Sequence, residues 1–139
     1  MTMENYKTVF YVDDNPKSSR LLTSVLETCG FRVITAHDPI EALGLCKKTD
    51  FDLALLDYDM PGMNGSQLTQ ELKFLVPDAP VVLISGYAAL PPTELVFVDA
   101  HFGLGTCLDD LLWTMRMLSG MAVPHLAGHS GMTHRADST

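Results

Sequence analysis

Two apolar runs in this chain end in acid. Val9–Val12 runs into Asp13-Asp14, and Leu53–Leu56 runs into Asp57 with Asp59 just beyond. Carboxylates brought close together raise one another's pKa and destabilise the fold unless something compensates them. A hard divalent cation does so, and Mg²⁺ in particular takes oxygen ligands, keeps several waters and works beside phosphate oxygens. A carboxylate in such a place can also attack phosphorus to give an aspartyl phosphate, with the metal neutralising charge on the transferred group. An acidic pair alone serves equally well as a helix cap or turn former. Acid at the ends of two separate apolar strands is the more specific pattern.

Delivering these groups to one place needs parallel strands. Val9–Val12, Leu53–Leu56 and Val81–Ile84 are apolar throughout, as strands buried on both faces are. Phe31–Ala36 mixes in Arg32 and Thr35 and reads as a strand nearer an edge, and Ala100–Leu104 reads as a fifth. Helix signals lie between them. Asn15-Pro16 opens a helix whose stripe is Leu21, Leu22, Val25, Leu26 and Cys29, closed by Gly30. Asp38-Pro39-Ile40-Glu41 resembles a capping box, and Asn64 caps a helix with Leu68, Leu72 and Leu75 inward. Thr106 is the expected cap of a last helix carrying Leu108, Leu111, Leu112, Met115 and Leu118. Pro91-Pro92 opens either a short fourth helix through Phe97 or Val98, or a loop. The alternation predicts an α/β fold: a flavodoxin-like, doubly wound, five-stranded parallel sheet of order 2-1-3-4-5 with helices on both faces. In that order the strands ending at Asp13-Asp14 and Asp57 are neighbours, and ligands bind beyond the carboxyl ends of such strands.

The remaining composition narrows the class. The chain has 139 residues, 47% of them hydrophobic, enough for one domain with its own core. A net charge of -8 argues against nucleic acid or anionic membrane as partner. Cys29, Cys46 and Cys107 share no pairing spacing and are expected as buried free thiols in a reducing compartment. No apolar signal core and no run long enough to span a bilayer is present, so a cytoplasmic location is expected. Residues 5–119 are expected to form the domain and 120–139, with His125, His129 and His134, a flexible tail.

The segments that carry this pattern resemble the receiver domains of bacterial response regulators in two-component signalling. Phe10-Tyr11-Val12-Asp13-Asp14-Asn15 is similar to their acidic pair. Leu55-Leu56-Asp57-Tyr58-Asp59-Met60-Pro61-Gly62-Met63-Asn64-Gly65 is similar to their phosphoacceptor strand and loop, and Val82-Leu83-Ile84-Ser85-Gly86-Tyr87 to their fourth strand with its switch hydroxyl. The resemblance implies Asp57 as phosphoacceptor, and Mg²⁺ held by Asp14 and Asp57 directly, by Asp13 through water, and by the backbone carbonyl of Asp59. Ser85 would bond a phosphoryl oxygen, with His101 near the switch aromatic position. It implies a stand-alone, non-enzymatic module in a phosphorelay. The implied partners are a histidine kinase or phosphotransfer protein, an unknown downstream protein, and a second copy through the fourth helix, fifth strand and fifth helix.

Two departures stand out. The family's lysine at the end of the fifth strand is replaced by Leu104, and no Lys or Arg occurs between Lys73 and Arg116. Losing that charge increases repulsion among the acids and removes a donor for the transferred group. Asp59 stands where the family often has an uncharged polar residue. The alternative function is therefore an atypical receiver that works as an interaction module without phosphate. Asp57-Tyr58-Asp59 also resembles the nucleophile motif of haloacid-dehalogenase-type phosphatases, but Pro61 and the absence of any lysine after Lys73 oppose that reading.

Overall fold

The computed structural model describes residues 6–121. Its elements run β1 (Lys7–Val12), α1 (Pro16–Thr28), β2 (Phe31–Ala36), α2 (Pro39–Cys46), β3 (Leu53–Asp57), α3 (Gly65–Leu75), β4 (Val81–Ile84), a 3₁₀ turn (Pro92–Leu95), β5 (Ala100–Phe102) and α4 (Leu108–Ser119). The strands form one parallel sheet of order β2-β1-β3-β4-β5, as the alternation of apolar runs and helix signals predicts.

Side-chain alternation along the strands builds two cores. Phe10, Val12, Ala54 and Leu56 pack with Ala42, Leu68 and Leu72 of α2 and α3. Val9, Tyr11, Leu53 and Leu55 pack on the other face with Leu26 of α1 and with Leu111, Leu112 and Met115 of α4. Burying β1 and β3 on both faces holds the strand ends, and hence their acids, in fixed register: Val12 pairs with Leu56, one step before Asp13 and Asp57.

The helix starts are set by side chains that satisfy the first-turn N–H groups. Asn15 accepts from Lys17 and Ser18 N–H at 2.9 and 3.2 Å. Asp38 accepts from Glu41 N–H at 2.8 Å, and Glu41 in turn accepts from His37 N–H at 2.6 Å. Asn64 and Gln67 form a reciprocal capping box, both bonds at 2.9 Å. Gly65 must be glycine for a packing reason. A Cβ there would lie 2.5 Å from Leu83 Cδ1 and 2.6 Å from the Asp57 carbonyl oxygen, so α3 begins in contact with the strand end that carries Asp57.

Several local expectations are corrected. Thr106 is not the cap of the last helix: Cys107 takes that place with extended backbone and no side-chain hydrogen bond, and Asp109 and Asp110 supply the favourable first-turn charge instead. With the helix starting later, Cys107 falls outside its apolar stripe and is exposed, and Cys29 is half-buried, so only Cys46 is the buried thiol expected. The fourth helix is reduced to the 3₁₀ turn. Pro92 forces Pro91 into an extended conformation (φ -57°, ψ 146°). Downstream, β5 is anchored early, because Asp99 bonds Val81 through both backbone and side chain and pairs with Lys73 Nζ at 2.8 Å. The span left between is too short for further turns. β5 ends at Phe102, two residues before the expected Leu104, whose N–H turns aside to the Tyr87 carbonyl at 3.0 Å. The flexible tail proposed for 120–139 lies, from residue 122 onward, outside the described residues. Among the described residues, no helix is long and apolar enough to cross a membrane.

Candidate phosphoacceptor and metal site

β1 and β3 deliver their terminal carboxylates to one corner. One oxygen each from Asp13, Asp14 and Asp57 lies within 4.8 Å of the others. The corner opens into a cleft that Asp59 and Ser85 also line, with Leu21, Leu22 and Leu108 forming an apolar wall. Among the described residues, no lysine or arginine lines it. Leu104 is 72% exposed and does not line it either.

The charge imbalance is visible in Asp57. Its carboxyl is pushed up to about 7, first by burial and then by the charge of Asp13, with smaller contributions from Asp14 and Asp59. Only a hydrogen bond from the Asp59 backbone opposes this. Asp13, by contrast, is gripped at both oxygens: the Asn15 N–H donates to Oδ1 at 2.9 Å and the Tyr11 hydroxyl to Oδ2 at 2.6 Å. The donor set is all oxygen, carries excess negative charge and faces an open cleft, which suits a hard cation of the Mg²⁺ type rather than a soft metal.

Ser85 sits at the end of β4, across from Asp57 in the ladder pairing of Asp57 with Ile84. Its hydroxyl is engaged: Oγ lies 2.9 Å from His101 Nε2, donates to the Tyr87 carbonyl at 3.1 Å and accepts from Tyr87 N–H at 3.3 Å. A hydroxyl has one proton, so donation to Tyr87 leaves His101 Nε2–H as the donor to Ser85. Burial lowers the pKa of His101, which favours this neutral ring. His101 therefore reaches the site through Ser85.

Sequence reasoning misses three residues here. Tyr11 reads as core within its apolar run, although its position two residues before Asp13 puts both on one face of β1. Tyr58 and Glu94 carry no signal of their own. The Tyr58 hydroxyl donates to Glu94 Oε1 at 2.9 Å, Ser66 Oγ donates to the Glu94 carbonyl at 2.5 Å, and the Tyr58 ring meets Tyr87 edge-on with centroids 6.1 Å apart. No spacing in the sequence announces the Tyr58–Glu94 contact, which joins residues 36 apart.

Comparison with known proteins agrees with this arrangement. A family model described as response regulator receiver domain matches residues 9–101. The sensor histidine kinase RcsC of Salmonella typhimurium is 38% identical over 101 residues, which are 73% of this chain and 10% of that protein. The chain thus spans about a tenth of the curated relative's length. The response regulator TrrA of Thermotoga maritima, solved with Mg²⁺ and BeF, superposes with a TM-score of 0.76 at 27% identity, covering 81% of this chain and 98% of that one. TrrA solved with the histidine kinase ThkA gives 0.74 at 27% identity, over 81% and 97%.

Proposed function

The chain belongs to the response regulator receiver domain family, and from that membership we propose that Asp57 accepts a phosphoryl group with Mg²⁺ and that the modified domain signals by protein contact. The convergence of Asp13, Asp14 and Asp57 within 4.8 Å carries this reading. In the transfer, an Asp57 oxygen forms a bond to phosphorus while the bond from phosphorus to the donor's leaving atom breaks, and that atom keeps the electron pair. Asp14 and Asp57 would hold the metal directly, Asp13 through water, with the Asp59 carbonyl as a further ligand. When bound, the ion neutralises charge on the transferred group. Ser85 is the group that would report the phosphoryl oxygen, and His101 would follow it. Residues 5–119 would make up the working unit.

The donor in this reading is a histidine kinase or phosphotransfer protein, in line with the kinase complex formed by TrrA. The output is a downstream protein, or a second copy bound through β5 and α4; the fourth helix of the expected dimer face is reduced here to the Pro92–Leu95 turn. The location proposed is the cytoplasm.

One observation favours a second reading. The cleft is lined by no cationic side chain among the described residues, and the Ser85 hydroxyl is already held by His101 and Tyr87. Both suit an interaction module that works without phosphate. Acetyl phosphate with Mg²⁺ separates the two. A mass gain of one phosphoryl group that disappears in Asp57→Asn supports phosphorylation; an unmodified wild-type protein supports the second reading.

A further inference from the structure

The acidic cleft is short of donors. Asp13, Asp14, Asp57 and Asp59 line it with no lysine or arginine among the described residues beside them; Lys73 is committed to Asp99 and the Ala79 carbonyl, and Arg116 to the Cys29 carbonyl. Among the described residues, the one side-chain donor on these carboxylates is the Tyr11 hydroxyl, 2.6 Å from Asp13 Oδ2. Tyr11 is 1% exposed and Asp13 4%. Tyr11 is thus part of the core, and Asp13 stands where that core meets the cleft. The tyrosine ring is clamped between β1's neighbours and the α1 and α4 side chains, so its oxygen is held over Asp13 Oδ2 at 2.6 Å, with the Ser18 carbonyl a more distant acceptor at 3.5 Å. With Asn15 N–H on Oδ1 at 2.9 Å, the Asp13 carboxylate has a set rotation.

The geometry points to Tyr11 as the positioning residue of the metal corner: acting through Asp13, it fixes the carboxylate so that the site suits a small octahedral cation. This rests on the reading above that the acids hold Mg²⁺. Mg²⁺ demands near-ideal geometry, whereas Ca²⁺ accepts flexible ligand sets. Asp13 would hold the ion through water, so locking its carboxylate fixes where that water sits and favours the ion with the stricter geometry. Groups that orient a ligating side chain typically alter metal affinity by about 10- to 100-fold when removed.

The test is calorimetric titration of the full chain with Mg²⁺ and separately with Ca²⁺. Tyr11→Phe, which deletes one oxygen, is expected to weaken Mg²⁺ binding about tenfold and to change Ca²⁺ binding far less. In an Asp13→Ala background, which leaves the hydroxyl no acceptor at that position, the same substitution is expected to do nothing further. Unchanged Mg²⁺ affinity in Tyr11→Phe, equal weakening of both ions, or an effect that persists in the Asp13→Ala background overturns the inference. Should the variant fail to fold, proton NMR of the wild type decides: a Tyr11 hydroxyl resonance that survives Mg²⁺ addition supports the role, and its loss on Mg²⁺ addition overturns it. A wild type that prefers Mg²⁺ to Ca²⁺ yet takes no phosphoryl group refutes the phosphoacceptor reading and supports this one. A wild type with no Mg²⁺ affinity overturns it.

Discussion

The Tyr58 hydroxyl bonds the Glu94 carboxylate at 2.9 Å, tying the residue after Asp57 to the turn that replaces a fourth helix. Glu94 also accepts from Ser66 through its carbonyl, so a single residue fastens the β4–β5 connection to the start of α3. A 3₁₀ turn of this length has little stability of its own. Its order depends on these bonds.

Glu94→Ala removes the Tyr58 bond while keeping the Ser66 bond to the backbone carbonyl, and is expected to loosen residues 92–98 without unfolding the sheet. The lost bond contributes roughly 0.5–1.5 kcal/mol. Hydrogen exchange should quicken at the Glu94 and Val98 amides, which bond Pro91 and Leu95, while Phe10 and Leu55 stay protected. Uniform protection across the connection would contradict the tie.

Asp57 gives a stability change of defined sign. Its carboxyl is raised from 3.8 to about 7 in the folded protein. The folded state thus binds the proton more tightly than the unfolded state, and stability falls as pH rises from about 4 to about 7. Without metal, Asp57→Asn should stabilise the protein at pH 8 and leave it almost unchanged at about pH 3.5, below both the unfolded and the folded value. Discounted for a carboxyl in contact with solvent, the gain is on the order of 1–2 kcal/mol. Denaturant unfolding in a chelator at the two pH values measures it; equal effects at both would show that the charge repulsion is absent.

His101 has the opposite sign. Burial lowers its pKa below 6.5. The unfolded chain then takes up the proton first, so this stability is complete above the unfolded value and lost as pH falls below it. His101→Gln in an Asp57→Asn background, which removes the competing carboxyl, should flatten the fall in melting temperature between pH 7.5 and pH 5.5. An unaltered acid slope would mean that the ring is not held neutral against Ser85.

Gly65→Ala tests how α3 positions the site. The new methyl group meets the Asp57 carbonyl at 2.6 Å and Tyr58 Cα at 2.9 Å, both backbone, so something must move. Overpacking of this kind costs roughly 1–3 kcal/mol. Because the displaced backbone carries Asp57, Mg²⁺ affinity should fall together with the melting temperature. Gly44→Ala, with nothing near the added carbon, should leave the affinity unchanged.

The sheet was legible because burial on both faces writes continuous apolar runs, and Val9–Val12 and Leu53–Leu56 have no other explanation as compact. The acidic corner followed from it, since register between β1 and β3 is fixed by the same burial. What escaped was set by contacts distant in sequence. Neither the Tyr58–Glu94 bond nor the Ser85–His101 bond has a period or a local signature. Thr106 misleads because a good capping residue does not dictate where a helix starts when the packing of Leu111, Leu112 and Met115 sets its phase. Tyr11 is legible by its ring, which is core, and not by its hydroxyl, which serves Asp13.

Fluorine NMR of beryllofluoride added with Mg²⁺ tests most directly whether adjacent strands build a phosphoryl site around Asp57. A bound resonance that requires Mg²⁺ and vanishes in Asp57→Asn is the predicted result. The absence of any bound resonance from folded wild-type protein at saturating Mg²⁺ would contradict the account.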